Sequence, residues 1–313
     1  MRRRTIAIVL TILMVGALVV DLAFFLSPPA ARTWGYFAFA REWQALWPWE
    51  SGKNLPLRLS FKASLFAPTR VRIEPHVSML LDPNDLVSRV ILETGAWEPE
   101  SWLAIRSHLR PGDTFVDVGA HIGYHSLKAA AVVGPSGRVI AVEPNARTVR
   151  ELQDNIRESG AESIIVQPVA CSDTEGSIEL FVAPRANTGQ TSLSRQNASQ
   201  AGSAVESYRV RARPLDAVIR ESGVSRVDVI KIDVEGAELL VLKGAQGTIA
   251  RYRPLLIVEI VDEQLKAMGT SSNEVISFAR SVGYEPSHRI GQNIEFAFRN
   301  SSNVLPSAHL PTR

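Results

Sequence analysis

The stretch Thr114-Phe115-Val116-Asp117-Val118-Gly119-Ala120-His121-Ile122-Gly123 decides the fold. Its first half is a short, nearly unbroken apolar run, as expected of a strand buried on both faces of a parallel sheet. It leads into a turn with glycines at 119 and 123, and then into an alanine-rich segment that predicts a helix over residues 124–132. Doubly wound sheets place their ligands at such a strand, turn and helix junction. Gly119 and Gly123 lack a Cβ, so the backbone can turn sharply and come close to a ligand. A dinucleotide enzyme wants G-x-G-x-x-G, with its second glycine against a pyrophosphate. Here that place is held by His121, which disfavours a nicotinamide-dependent oxidoreductase and suits a cofactor without a phosphate. Asp117 beside the turn suits a cationic ligand such as a sulfonium.

The same rhythm continues outward from this stretch. Strands are predicted over 138–142, 164–169, 227–232 and 255–260, with helices over 146–159, 237–250 and 273–282. The pattern predicts an α/β fold with a mostly parallel sheet. Residues 176–214 interrupt it: strands over 177–182 and 208–210 flank a polar loop at 187–202, long enough to suggest function. Within that loop, residues 187–192 read as a lid over substrate or cofactor, or as plain surface loop. Upstream, residues 77–81 and 89–92 flank Asp82-Pro83-Asn84-Asp85 and read as a hairpin, and residues 100–109 read as a helix. Residues 52–75 read as a linker. The domain therefore spans 76–300, followed by a tail at 301–313.

Before it, residues 5–26 carry no charge until Asp21, and about 22 such residues cross a hydrocarbon core. Ser27-Pro28-Pro29-Ala30-Ala31 makes a poor cleavage site, so the segment reads as a retained transmembrane helix and not a secretory signal. Trp34, Trp43, Trp47 and Trp49, with Tyr36, Phe37 and Phe39, fall in residues 27–75 as an interfacial aromatic belt or as a packed helix. Arg2, Arg3 and Arg4 favour a cytoplasmic N-terminus and a domain on the far side; Arg32 and Arg41 soften that bias. A cytoplasmic cofactor asks for the opposite face, which is the one expected here.

The chain has 313 residues, 34 basic against 32 acidic and a net charge of +2, so no global field marks a nucleic-acid binder. The lone Cys171 excludes an intramolecular disulfide and a multi-cysteine metal site.

Two further groups of residues bear on chemistry. Glu143 closes the second strand at the spacing from Gly119 at which an acid accepts from vicinal ribose hydroxyls. Asp173, after the third strand, is placed to reach an adenine amino group or to serve as a turn residue. Lys231, Asp233 and Glu235 alternate at the end of an apolar strand and would share one face. Asp233 is the candidate for taking or polarising a substrate hydroxyl proton, with Glu235 or Glu259 assisting it or holding a divalent cation. His121 and His125 lie one helical turn apart, but no further ligands for zinc accompany them.

These motifs, together with Gly95-Ala96-Trp97-Glu98-Pro99, Val142-Glu143-Pro144 and Ile230 through Glu238, give the chain a likeness over residues 79–299. It resembles the FkbM family of S-adenosylmethionine-dependent methyltransferases. The resemblance implies a Rossmann-like class I sheet of seven strands, with residues 288–290 and 294–298 as the last pair and helices on both faces. S-adenosylmethionine is the cofactor it implies, held by Asp117, Gly119, Ala120, His121, Gly123, Glu143 and Asp173. The resemblance also implies methyl transfer, usually to a hydroxyl of a sugar, polyketide or similar metabolite, and the anchor adds a glycolipid to the acceptors expected, with Asp233, Glu235 and Lys231 as catalytic residues. His121 stands where asparagine is commoner in the family. The anchor, through which membrane lipid would be a partner, lies outside the likeness. A catalytically silent binding module on the same membrane anchor is the other reading.

Overall fold

The computed structural model describes residues 36–37 and 67–299. The predicted transmembrane helix, residues 52–66 of the linker, the tail and most of the aromatic segment lie outside them. Among the described residues no helix is long and apolar enough to cross a membrane. The described residues divide into two compact units, one holding residues 67–71 with 80–97 and the other residues 72–79 with 98–299.

Two expectations for the residues before 98 are corrected. The strand β1 (Thr69–Glu74) occupies the end of the predicted linker, and it pairs with β2 (Val77–Leu81). Residues 89–92 are not the second arm of a hairpin but part of helix α1 (Leu86–Thr94). Asp85 caps that helix, its side chain accepting from the Ser88 amide at 3.0 Å, and Val87, Ile91 and Leu92 are buried at helical spacing. The turn cluster at 82–85 therefore starts a helix.

From residue 98 onward the expected alternation holds. Helix α2 (Pro99–His108) leads to β3 (Thr114–Val118), α3 (Tyr124–Val133), β4 (Arg138–Val142), α4 (Ala146–Ser159) and β5 (Ile164–Gln167). A three-stranded sheet follows, made of β6 (Ala170–Cys171), β7 (Gly176–Val182) and β8 (Glu206–Arg213), with the short helix α5 (Arg195–Ser199) between β7 and β8. Then come α6 (Leu215–Glu221), β9 (Val229–Ile232), α7 (Glu238–Lys243), α8 (Gln246–Tyr252), β10 (Leu255–Glu259), α9 (Asp262–Ala267), α10 (Ser272–Ser281), β11 (Tyr284–Ile290) and β12 (Asn293–Phe298).

The helix predicted over 237–250 is broken at Gly244. A Cβ there would stand 2.0 Å from the carbonyl oxygen of Ser172, so the chain passes tightly under that strand end.

The main sheet has seven strands in the order β11-β12-β10-β9-β3-β4-β5. Strands β10, β9, β3, β4 and β5 run parallel, and β12 and β11 add antiparallel. Val116 pairs with Ile140 and Ile230, and Ile230 with Leu256, so one fully buried row crosses four strands. Each such side chain contributes roughly 1.5–3 kcal/mol by leaving water. The register has a second consequence: the carboxyl ends of β10, β9, β3 and β4 lie side by side. Glu259, Asp233, Gly119 and Glu143, at or just past those ends, therefore line one edge of the sheet.

Candidate active site at the carboxyl edge of the sheet

The turn after β3 packs on protein atoms. Gly119 has φ +88°, and a Cβ on it would stand 1.7 Å from the Asp233 carbonyl oxygen. Its glycine is thus demanded by the chain segment leaving β9, not only by a ligand. The Gly119 and Ala120 amides both donate to the Val142 carbonyl at 3.0 Å, and Gly123 precedes α3 as its cap. Asp117 is 1% exposed beneath the turn, where Ser126 Oγ donates to its Oδ2 at 2.6 Å. It stands opposite Lys231 on the neighbouring strand.

Glu143 faces the turn from β4. Its Oε2 accepts from the His121 amide at 3.1 Å and its Oε1 from the Asn145 amide at 2.9 Å. Burial pushes this carboxyl up to about 7, against the two amide hydrogen bonds and with help from the charges of Asp117 and Asp233. Beside it, the Asn145 Nδ2 donor is buried without a partner. An acceptor and an unused donor next to each other are what the ribose of an adenosyl group would meet. His121, at φ +50°, lies 2.7 Å through Nε2 from Thr188 Oγ1. This hydrogen bond ties the turn to the 3₁₀ segment Arg185–Gln190, within the loop expected to act as a lid.

The candidate catalytic constellation sits just past β9. Lys231 Nζ is 2.6 Å from Asp233 Oδ2 and 3.7 Å from Glu98 Oε2. Burial alone would strip the Lys231 ammonium, but the charges of Asp233, Glu98 and Asp117 outweigh it and hold the proton above the ordinary lysine range. Burial likewise pushes Glu98 up, but Lys231 and a hydrogen bond from His125 prevail and hold it down at about 2. Glu235, at φ +54°, is raised by burial and by Asp233 and Glu238. Its carboxylate accepts from Gln264 Nε2, and its carbonyl takes Ser192 Oγ at 2.7 Å and Asn197 Nδ2 at 2.9 Å. Glu238 Oε1 closes the loop by accepting from the Val234 and Gly236 amides.

Among the described residues, three of the four non-glycine residues with positive φ, namely Glu98, His121 and Glu235, belong to this site. Sparsely populated backbone states persist where the surroundings enforce them, and they concentrate at functional sites.

Asp173 lies apart from this group. It is exposed at the turn between β6 and β7, hydrogen-bonded to its neighbours Ser172 and Thr174. His125 does not join His121: it meets Glu98 at 3.4 Å and packs against Trp102 and Tyr124. Glu98 escaped the sequence reading as a site residue because it lies before the repeating strands and helices. Its one signal was the motif ending in Glu98-Pro99. A cavity of about 650 Å³ lined by Glu74, Trp102, Arg106 and Lys128, among others, includes none of the predicted site residues.

Against this geometry, the profile of the family described as Methyltransferase FkbM domain matches residues 117–286. The chain belongs to the FkbM methyltransferase family. The match runs from Asp117 through Glu143 and Asp233 to Glu259, so the whole carboxyl edge lies inside it. Its cofactor is S-adenosylmethionine.

Similar proteins include the AMB antimetabolite synthetase AmbE of Pseudomonas aeruginosa, 30% identical over 58% of this chain and 10% of that protein. The hexuronic acid methyltransferase AglP of Haloferax volcanii is 29% identical over 47% of this chain and 56% of its own length. The chain thus spans a tenth and about half of these two relatives. Among solved structures, the FkbM methyltransferase of Methylobacillus flagellatus aligns at 18% identity, covering 85% of this chain and 59% of that one, with a TM-score of 0.41.

Proposed function

We propose that the protein methylates a hydroxyl oxygen of a sugar, glycolipid or related metabolite. The contact between the Gly119 turn and the Asp233 carbonyl carries this reading, because it fixes a carboxylate at the edge of the cofactor turn. The hexuronic acid methyltransferase among its relatives favours a glycan acceptor.

The cofactor supplies an electrophilic methyl group on a sulfonium, with a neutral thioether as leaving group. Glu143 and Asn145 would hold its ribose, and Asp117 would add negative charge under the turn. With Lys231 held on its Oδ2, Asp233 would take the acceptor's hydroxyl proton. Lys231 stays protonated and acts as a positioning residue for Asp233. Glu235, with its raised proton affinity, is the neighbouring acceptor. Much of the acceleration comes from holding the two reactants in line.

The test is transfer of labelled methyl groups from S-adenosylmethionine to glycans with and without hexuronic acids, using the purified full chain. Cofactor binding with no transfer to any hydroxyl acceptor rejects the O-methylation reading.

For residues 5–26 we infer a membrane anchor that holds the domain at the cytoplasmic face. Carbonate-resistant membrane association and a cytoplasmic C-terminal reporter are the expected results.

A further inference from the structure

We propose that Glu98, Asp233 and Glu259 bind one hard divalent cation, of the magnesium or calcium kind, at the edge of the acceptor site. The three carboxylates come from separate elements: the residue capping α2, the segment after β9 and the end of β10. One oxygen from each lies within 4.8 Å of the others. Two oxygens on opposite sides of such a cation are separated by about 4–5 Å, twice the metal–oxygen distance. All three donors are oxygens, which favours a hard cation over zinc or copper.

Charge and hydrogen bonding support the site independently. Lys231 neutralises one of the three carboxylates, so when all are ionised the group carries a net charge of minus two, which one divalent ion cancels. Lys231 reaches Glu98 and Asp233, and His125 also reaches Glu98. Glu259 differs: it is 5% exposed, and its Oε2 has no hydrogen-bond partner. A buried, unpartnered carboxylate oxygen is costly unless something binds it, and the Glu259 carboxylate is one of the three drawn together here.

A cation here would hold the acceptor's oxygens beside Asp233. That role rests on the methyl-transfer reading; the binding itself does not.

The experiment titrates Mn²⁺ into the purified full chain, reads free Mn²⁺ by electron paramagnetic resonance, and measures S-adenosylmethionine binding by calorimetry on the same samples. One saturable Mn²⁺ site per chain is expected, displaced by Mg²⁺ or Ca²⁺ and weakened about tenfold or more by Glu259→Gln. Glu98→Gln should weaken it as well, and at one Mn²⁺ concentration the melting temperature of the wild type should rise more than that of either variant. Cofactor affinity should stay within about twofold in both. Wild-type protein that binds the cofactor but shows no saturable Mn²⁺ site below millimolar concentration overturns the proposal, as does unchanged Mn²⁺ affinity in Glu259→Gln. Failure of the wild type to bind the cofactor would strike the methyl-transfer reading instead.

Discussion

Glu143 and Asp233 stand on the same sheet edge, yet they are held in different ways. Glu143 takes its hydrogen bonds from two main-chain amides, those of His121 and Asn145. Asp233 is held by the Lys231 ammonium, within a group that includes Glu98, Glu235 and Glu259. Main-chain donors are rigid and carry no mobile proton of their own, so the first arrangement is suited to recognition. The second concentrates ionisable groups whose proton affinities are pushed apart, the condition under which a proton can be moved. Binding and chemistry should therefore separate under mutation.

The largest effect expected is on turnover. Asp233→Asn should lower kcat by roughly 10²–10⁴, the usual worth of a positioned general base, with the cofactor Kd changed less than about threefold. Single-turnover transfer and calorimetry on one preparation read both quantities. An active Asp233→Asn enzyme would remove the proton-acceptor role.

Gly119→Ala should break the distinction itself, since the new methyl group meets the Asp233 carbonyl at 1.7 Å in a backbone state that disfavours a Cβ. A cost of about 3 kcal/mol is expected, with a drop of about 10 °C in melting temperature and loss of both cofactor binding and turnover. A variant that melts like wild type would show that the turn is free to move away from β9. Glu143→Gln acts on one side only. It places an amide NH₂ against a backbone N–H, and should weaken cofactor binding by about 10–100-fold.

How far the sequence exposed this arrangement depends on the range of each contact. The parallel strands were legible because burial on both faces leaves continuous apolar runs such as Val229-Ile230 and Leu256-Ile257-Val258. Asp117, Gly119, Glu143 and Asp233 were legible for a related reason: each sits at or just past a strand that could itself be read. Glu98 was not, because its place depends on a left-handed residue before α2 and on Lys231, far along the chain. Asp173 was read from a strand end that lies elsewhere. The strand before it stops at Gln167, and Ala170–Cys171 joins the three-stranded sheet, so Asp173 sits at an exposed turn of that smaller sheet. Residues 82–85 misled because a turn and a helix cap share the same residue types.

A pH series sharpens the comparison from the recognition side. Glu143 and Glu238 both have folded-state values pushed up to about 7 by burial, from 4.5. A raised folded value means that the native state binds the proton more tightly. The stabilisation is therefore complete below about 4.5 and is lost as pH rises through about 7. The protein without cofactor should melt a few degrees lower at pH 7.5 than at pH 5. Its affinity for cofactor should rise over the same interval, as Glu143 ionises and becomes the better acceptor for ribose hydroxyls. Glu143→Gln should flatten the affinity profile.

The smallest effects concern the loop that touches both regions. Thr188 bonds His121 of the cofactor turn, while Ser192, from the same loop, donates to the carbonyl of Glu235. Each neutral hydrogen bond is worth about 1 kcal/mol, or about fivefold in an equilibrium. Thr188→Val should therefore raise the cofactor Kd by about that factor and leave the acceptor KM nearly unchanged. Ser192→Ala should do the opposite, because it frees the Glu235 carbonyl beside the acidic cluster and the Ser194 amide but leaves the cofactor turn untouched. The two variants must be compared in both measurements, since a loop that moved as one body would shift both constants in both proteins. If Thr188→Val raised the acceptor KM and spared the cofactor, the turn and the cluster would be mechanically one unit, and the division between recognition and chemistry would not survive.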